Sequence, residues 1–122
     1  MRRALVVAVG LALAIAVVGC GTHNSDPPAN CPMDLPASCP APAPSFATDV
    51  SPIFSSVCQN CHAPGKQKSD IPLNTYTLIN RRAGTILSQI YDCIMPPADS
   101  PMLTEDQRKT LMNWLVCGAP NN

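Results

Sequence analysis

The chain has 122 residues, of which 46% are hydrophobic and 13% charged, with 14 prolines, seven cysteines and five aromatic residues. This length accommodates at most one ordinary domain, so a large multidomain enzyme is excluded. Eight basic residues balance eight acidic ones and form no basic stripe or tail, which excludes electrostatically driven nucleic-acid binding. Seven cysteines in so short a chain indicate either disulfides formed in an oxidising compartment or a metal or cofactor attachment site.

The first 19 residues are typical of an export signal. Two arginines precede an apolar run from Ala4 to Gly19, which is shorter than the roughly 20 residues that span a bilayer. The small residues before Cys20 resemble the cleavage site of bacterial lipoproteins, whose cysteine is lipidated. We therefore expect residues 1–19 to be a lipoprotein signal peptide and lipidated Cys20 to hold the product on a membrane.

Such an anchor predicts an exported bacterial lipoprotein of the cell envelope. Gly21 stands where some Gram-negative lipoproteins of the inner membrane carry Asp, which favours the periplasmic side of the outer membrane. The outer face of another membrane, a soluble secreted protein and an uncleaved anchor are the alternatives.

Residues 20–45 are rich in proline and contain no aromatic residue, so they cannot build a hydrophobic core. We interpret them as the lipidated cysteine and an extended linker to a domain at residues 46–122. A local disulfide between Cys31 and Cys39 is the simplest pairing within this linker. All five aromatic residues lie in the domain that follows.

The fold class predicted for residues 46–122 is all-α, because no segment alternates convincingly with a period of two. An apolar stripe over residues 50–57 predicts a helix that begins at Thr48 or Asp49 and ends near Cys58.

Later helices are predicted from weaker and stronger signals. One weak helix follows Asn74 and breaks at Gly84, and another covers residues 86–90. The run from Thr104 to Gln107 fits a capping box at the start of the last helix, which Gly118 ends.

Cys58, Cys61 and His62 form a C-x-x-C-H motif, which is typical of c-type haem attachment. Two thiols at this spacing add to the two vinyl groups of one haem, and the adjacent imidazole then reaches the iron as proximal ligand. A thioredoxin-type dithiol is disfavoured because the chain lacks a βαβ pattern, and zinc because Cys93 and Cys117 are widely spaced. The motif predicts one covalent haem c.

A methionine is the expected distal ligand, since the only other histidine, His23, lies in the linker. Met95 precedes two prolines that stiffen its loop. Met102 lies in a polar stretch, and Met112 falls on the last helix, where methionine is more often core filler. Met95 is therefore favoured, with Met102 or an open site as the alternative.

Four cysteines are left once Cys20 and the motif are assigned, and they allow three disulfide connectivities. We expect Cys31–Cys39 and Cys93–Cys117, because one pair then lies in the linker and the other in the domain. The second bridge would tie the end of the last helix beside the expected distal ligand.

Several segments resemble the class I cytochromes c, in particular the cytochrome c-like domains of exported bacterial lipoproteins. The similarity covers residues 48–120. The segments that carry it are D-V-S-P-I-F at 49–54, C-x-x-C-H at 58–62, M-P-P at 95–97 and W-L-V-C-G-A at 114–119. The chain departs from the family pattern in the short region between the histidine and the M-P-P segment, and in its two extra cysteines.

The resemblance implies a cytochrome c fold in which the first and last helices cross beside the haem, with Trp114 at their contact. It also implies axial ligation by His62 and Met95. In many relatives a proline carbonyl binds the other nitrogen of the proximal histidine, and here Pro64 and Pro72 are both candidates.

Electron transfer to and from a redox partner protein of the cell envelope is the expected function, not enzymatic catalysis. A thioether ligand raises the iron potential, and two filled axial positions keep substrates from the iron. The basic residues of the domain are interpreted as surface residues, with a docking patch for an acidic partner as the alternative; they include Lys66, Lys68, Arg81 and Arg82. The other hypotheses are a sensory haem domain in which a small ligand displaces Met95, and a structural module of an envelope complex.

Overall fold

The computed structural model describes residues 31–32 and 34–122, so the predicted signal peptide, lipidated Cys20 and His23 lie outside the described residues. The described residues form helices and no strand, in agreement with the all-α prediction. The helices are α1 (Ser51–Ser56), α2 (Tyr76–Arg81), α3 (Ala83–Tyr91) and α4 (Glu105–Val116), with a π-helical turn at Phe46–Val50 and a 3-10 turn at Cys58–Asn60. In this part of the chain, no helix combines the length and apolar character needed to cross a membrane.

The first helical stretch begins earlier than the sequence predicts. Ser45, and not Thr48 or Asp49, is the capping residue: its hydroxyl accepts a hydrogen bond from the Thr48 N–H, and its own N–H donates to the Asp49 carboxylate at 2.7 Å. Pro52 lies in the first turn of α1, where its missing N–H costs nothing. These two hydrogen bonds of Ser45, to Thr48 and to Asp49, therefore start the helical backbone one turn before the apolar stripe.

The break between α2 and α3 falls at Arg82 and not at Gly84, which lies inside α3. Arg82 has φ −108° and ψ 11°, a conformation open to any residue, and its N–H donates to the Ile79 carbonyl at 2.9 Å. A glycine inside a helix costs only about 1 kcal/mol, so it does not by itself end one.

The predicted start and end of α4 are confirmed. The Thr104 hydroxyl accepts from the Gln107 N–H at 3.2 Å, and the Gln107 side chain accepts from the Thr104 N–H at 3.0 Å. These two bonds form the capping box. Past the last turn, Gly118 adopts φ +81°, a left-handed conformation that suits glycine after a helix end.

The hydrophobic core lies between the π-helical turn, α1 and α4. Trp114 is fully buried at its centre, and its ring contacts those of Phe46 and Phe54, with centroids 5.7 and 6.4 Å away. The indole N–H donates to the Pro120 carbonyl at 2.9 Å, so this buried polar group is satisfied. Trp114 thus lies where the first and last helices meet. The other buried apolar residues are Val50, Ile53, Leu73, Ile79, Ile90, Leu111, Met112, Leu115 and Ala119.

Two disulfides join the proline-rich segment to the helical domain. Cys31 pairs with Cys93 and Cys39 with Cys117, with Cα–Cα distances of 5.8 and 4.6 Å. The predicted pairs Cys31–Cys39 and Cys93–Cys117 are therefore wrong. The reason is that the segment does not close on itself, since it runs across the domain, where Asp34 forms an ion pair with Arg108 of α4. The segment is thus attached to the domain at Cys31 and Cys39, so the predicted free linker does not extend over this part of residues 20–45.

Candidate functional site

A cavity opens between the end of α1, α3 and the loop that leads to α4. It encloses about 1050 Å³ of empty space, open solvent at its mouth included. The wall of this cavity contains all four residues predicted to bind haem, Cys58, Cys61, His62 and Met95. Most of the remaining wall is apolar, with Phe54, Val57, Ile71, Leu73, Ile86, Ile90, Pro96, Pro97, Pro101 and Leu103.

The three candidate methionines have different environments. Met112 is 1% exposed and belongs to the core of α4, and Met102 is 56% exposed. Neither lines the cavity, whereas half-buried Met95 does. Its N–H and that of Ile94 both donate to the Gln89 carbonyl, at 3.0 and 2.9 Å, which folds the loop back onto the last turn of α3.

His62 is held by hydrogen bonds on both its backbone and its ring. Its N–H donates to the Cys58 carbonyl at 2.8 Å, and its carbonyl accepts from the Leu73 N–H at 2.8 Å. Ring atom Nδ1 lies 3.0 Å from the Ile71 carbonyl oxygen. Because a carbonyl can only accept, this contact requires the proton on Nδ1 and leaves the Nε2 lone pair available to a metal.

The carbonyl that orients His62 is therefore not that of Pro64 or Pro72, the two expected from the resemblance. Ile71 directly precedes Pro72. The backbone hydrogen bond from the Leu73 N–H to the His62 carbonyl holds this segment beside the ring, where the Ile71 carbonyl reaches Nδ1. The residue just before Pro72 thus supplies the carbonyl contact to the imidazole that the resemblance assigned to a proline.

The two motif cysteines lie at either end of a short turn, in which the Cys61 N–H donates to the Cys58 carbonyl at 3.2 Å. Burial raises the pKa of the free Cys58 thiol from its usual 9.0 to about 12. This thiol is therefore protonated at neutral pH, whereas a dithiol oxidoreductase needs a thiol of lowered pKa.

Two basic residues that were interpreted from the sequence as surface residues lie on the cavity wall. Lys68 and Arg82 are half-buried and line the cavity, and none of the described acidic residues does. Within residues 31–32 and 34–122, neither forms an ion pair. No periodic pattern distinguishes them from Lys66 and Arg81, since their position depends on how the chain folds around the cavity.

Arg108 is a further structural residue that the sequence did not single out. It is 9% exposed, and its guanidinium binds the Asp34 carboxylate and the carbonyls of Pro32 and Tyr91, the last two at 2.8 and 3.3 Å. The hydrogen bond from Arg108 lowers the pKa of Asp34. These partners are far from Arg108 in sequence, so no local pattern could identify the contact.

Among the described residues, no group of three or more His, Cys, Asp and Glu is placed to hold a metal ion. A haem iron does not need such a group, because the porphyrin supplies four nitrogens and the protein only the axial ligands.

Comparisons of the chain with protein-family models, with curated proteins and with solved structures found no match.

Proposed function

We propose that the chain is a c-type cytochrome that transfers single electrons through one covalently bound haem with His62 and Met95 as axial ligands. The observation that carries the proposal is the cavity whose wall contains Cys58, Cys61, His62 and Met95. Export and anchoring to the membrane through Cys20 are part of the proposal and are supported by the sequence alone.

The chemistry of the cavity fits the group. Its apolar wall suits a porphyrin, and two cations with no acid beside them suit the two propionate carboxylates that a haem carries. Attraction between Lys68 or Arg82 and a carboxylate is strengthened by partial burial, since the local dielectric is lower than that of water. His62 Nε2 is available, and among the described wall residues the Met95 thioether is the one sulfur donor besides the two cysteines.

Covalent attachment requires both motif sulfurs as thiols, because each thioether forms by addition of one S–H across one vinyl group. Cys58 already is a thiol. The Cys61 sulfur must likewise be kept as a thiol until attachment, which in an oxidising compartment requires a dithiol reductant. We therefore expect maturation to need both a haem supply and a reductant.

When bound, the haem supplies one-electron exchange between ferric and ferrous iron. The residues of the chain bind and orient it. Ile71 fixes the imidazole of His62, the loop after α3 brings Met95 to the wall, and the apolar wall excludes water. If His62 and Met95 hold the iron as proposed, substrates would have no free site at the metal, which favours a carrier over an enzyme.

The test is production of the full chain with a cytochrome c maturation system. We expect peptide mass spectrometry to find one haem on Cys58 and Cys61, and the ferric spectrum to be low-spin with a weak far-red band from a sulfur ligand. Met95→Ala should abolish this band. Met102→Ala is the matched control, since Met102 is exposed and outside the cavity, and it should keep the band.

Two outcomes would contradict the proposal. Motif sulfurs that stay unmodified in the mature protein would exclude a c-type cytochrome. A haem that is attached but high-spin in the wild-type protein would exclude the electron carrier and favour a ligand-binding domain.

A further inference from the structure

The segment from Cys31 to Cys39, of which Met33 is not described, is crosslinked to the domain at both ends; we call it the strap. Its first disulfide ends at Cys93, only two residues before Met95, and its second at Cys117, beyond the far end of α4. The two crosslinks are chemically identical, but only the first lies next to the proposed distal ligand.

Backbone hydrogen bonds from the N–H groups of Cys93, Ile94 and Met95 to α3 fix the start of the loop that carries Met95, and the rest of the loop has no regular structure. Residues 92–104 contain no helix or strand, and a loop of this length without regular structure needs external contacts to hold one conformation. Cys93 adopts φ +53°, a conformation that a non-glycine residue takes only when its surroundings impose it. The Cys31 crosslink is attached at this residue, where the chain leaves α3 and turns toward the cavity.

Arg108 reinforces the crosslink from the other side. Its Nη2 atom donates to the Pro32 carbonyl of the strap and to the Tyr91 carbonyl at the end of α3, at 2.8 and 3.3 Å. One buried side chain therefore joins the strap, α3 and α4 within two residues of Cys93. The strap and the start of the Met95 loop form one connected unit.

We propose that the Cys31–Cys93 disulfide is a positioning element that holds the Met95 loop against the cavity, so that the thioether stays on the iron. The inference rests on the proposed function. Thioether sulfur is a weak ligand, and a weak ligand remains bound only when its loop has little conformational freedom to gain by leaving. Cutting this crosslink releases the loop, whereas cutting the Cys39–Cys117 crosslink does not.

The experiment compares two double variants of the full, haem-loaded chain: Cys31→Ser with Cys93→Ser, and the matched control Cys39→Ser with Cys117→Ser. Each removes one disulfide and leaves no unpaired partner. We expect the first variant to lose at least half of the far-red band and to bind carbon monoxide in the ferrous form at least tenfold faster than wild type. The control should keep the wild-type band and rate.

A second measurement covers the case in which the first variant fails to fold. In the control variant, Cys31–Cys93 is the remaining disulfide of the strap, and a dithiol reductant can open it while the thioether links survive. After alkylation and reoxidation of the iron, we expect the band to fall as the fraction of opened Cys31–Cys93 rises.

The outcomes separate the two proposals. Absence of covalent haem in the wild-type chain overturns the proposed function and this inference with it. Haem attached in all variants, with equal bands and equal carbon monoxide binding in the two double variants, overturns only the positioning role.

Discussion

The two sides of the domain are held together by different kinds of interaction. On the side where α1 meets α4, buried aromatic rings pack around Trp114, and side-chain caps at Ser45 and Thr104 start the two helical stretches. On the cavity side, a turn, a long loop and the strap are joined by disulfides and by Arg108 around space that the chain itself does not fill. The first side is a conventional core, whereas the second is held by crosslinks around a cavity.

This difference agrees with the size of the domain. The domain at residues 46–122 contains only five aromatic residues, which is close to the limit at which a hydrophobic core alone stabilises a fold. Such small scaffolds usually contain disulfides or a cofactor. We infer that the packed side supplies most of the stability of the haem-free domain, and that the cavity side gains its rigidity upon ligand binding.

The strongest test of this division is Trp114→Ala. Removing a fully buried tryptophan leaves a cavity in the packed side, and we expect a loss of about 3–5 kcal/mol in the free energy of unfolding. Urea unfolding of the haem-free protein with intact disulfides measures it. Trp114→Phe keeps most of the volume and should cost less. A loss below about 1 kcal/mol for the alanine variant would show that the aromatic contact is not the main core.

The reactivity of the Cys58 thiol tests how well the cavity side is shielded from water. Because burial raises the pKa of its thiol to about 12, we expect alkylation in the folded, haem-free protein at pH 8 to be about 1000-fold slower than in the urea-unfolded chain. Peptide mass spectrometry after timed labelling isolates this site. A folded-state pKa raised above 9.0 also means that the thiol favours folding fully below pH 9 and loses this contribution as the pH rises toward 12. Equal rates in both states would place the thiol in water.

Substitutions of Arg108 and Asp34 compare the buried carbonyl contacts of Arg108 with its ion pair to an exposed carboxylate. Arg108→Ala leaves the Pro32 and Tyr91 carbonyls without this donor, and we expect a loss of about 2 kcal/mol. Asp34→Ala should cost less than about 1 kcal/mol, because that side chain is 56% exposed. Equal losses would mean that the ion pair, and not the carbonyl contacts, attaches the strap.

The pH dependence of this contact has a definite sign. Since the hydrogen bond from Arg108 lowers the pKa of Asp34 below 3.8, the contribution of the pair is present above that pH and is lost as the pH falls below it. The stability difference between wild type and Asp34→Ala should therefore vanish in acid.

The smallest expected effect is at the α4 cap. Thr104→Ala removes the hydroxyl that accepts from the Gln107 N–H, and we expect a loss of about 1 kcal/mol. Thr104→Ser keeps an oxygen at the same place and should be close to wild type in urea unfolding. A larger loss than that of Arg108→Ala would reverse the proposed order of contributions.

The sequence predicted the parts of this molecule that depend on local chemistry. The capping box at Thr104, the left-handed Gly118 and the all-α class follow from patterns within a few residues. The C-x-x-C-H motif and Met95 were singled out by spacing, and the structure places them at one cavity. Helix boundaries near Ser45 and Arg82 were missed because side-chain caps and turn dihedrals compete with periodicity there.

What the sequence could not predict depends on long-range topology. Disulfide connectivity is undetermined by spacing, and the simplest pairing failed because the strap crosses the domain. The positions of Lys68 and Arg82 on the cavity wall and the buried contact of Arg108 have the same origin. In each case the partners are distant in sequence and meet only after the chain has folded.

The attachment of Cys31 to the domain also limits the distance that a lipid anchor at Cys20 would allow between the domain and the membrane. With a lipid on Cys20, only the peptide between that residue and Cys31 separates the membrane surface from a rigid body, and even fully extended it covers no more than about 40 Å. If the chain carries electrons as proposed, its donors and acceptors would lie within this layer above the bilayer, which favours neighbours embedded in the same membrane over carriers that diffuse across the compartment.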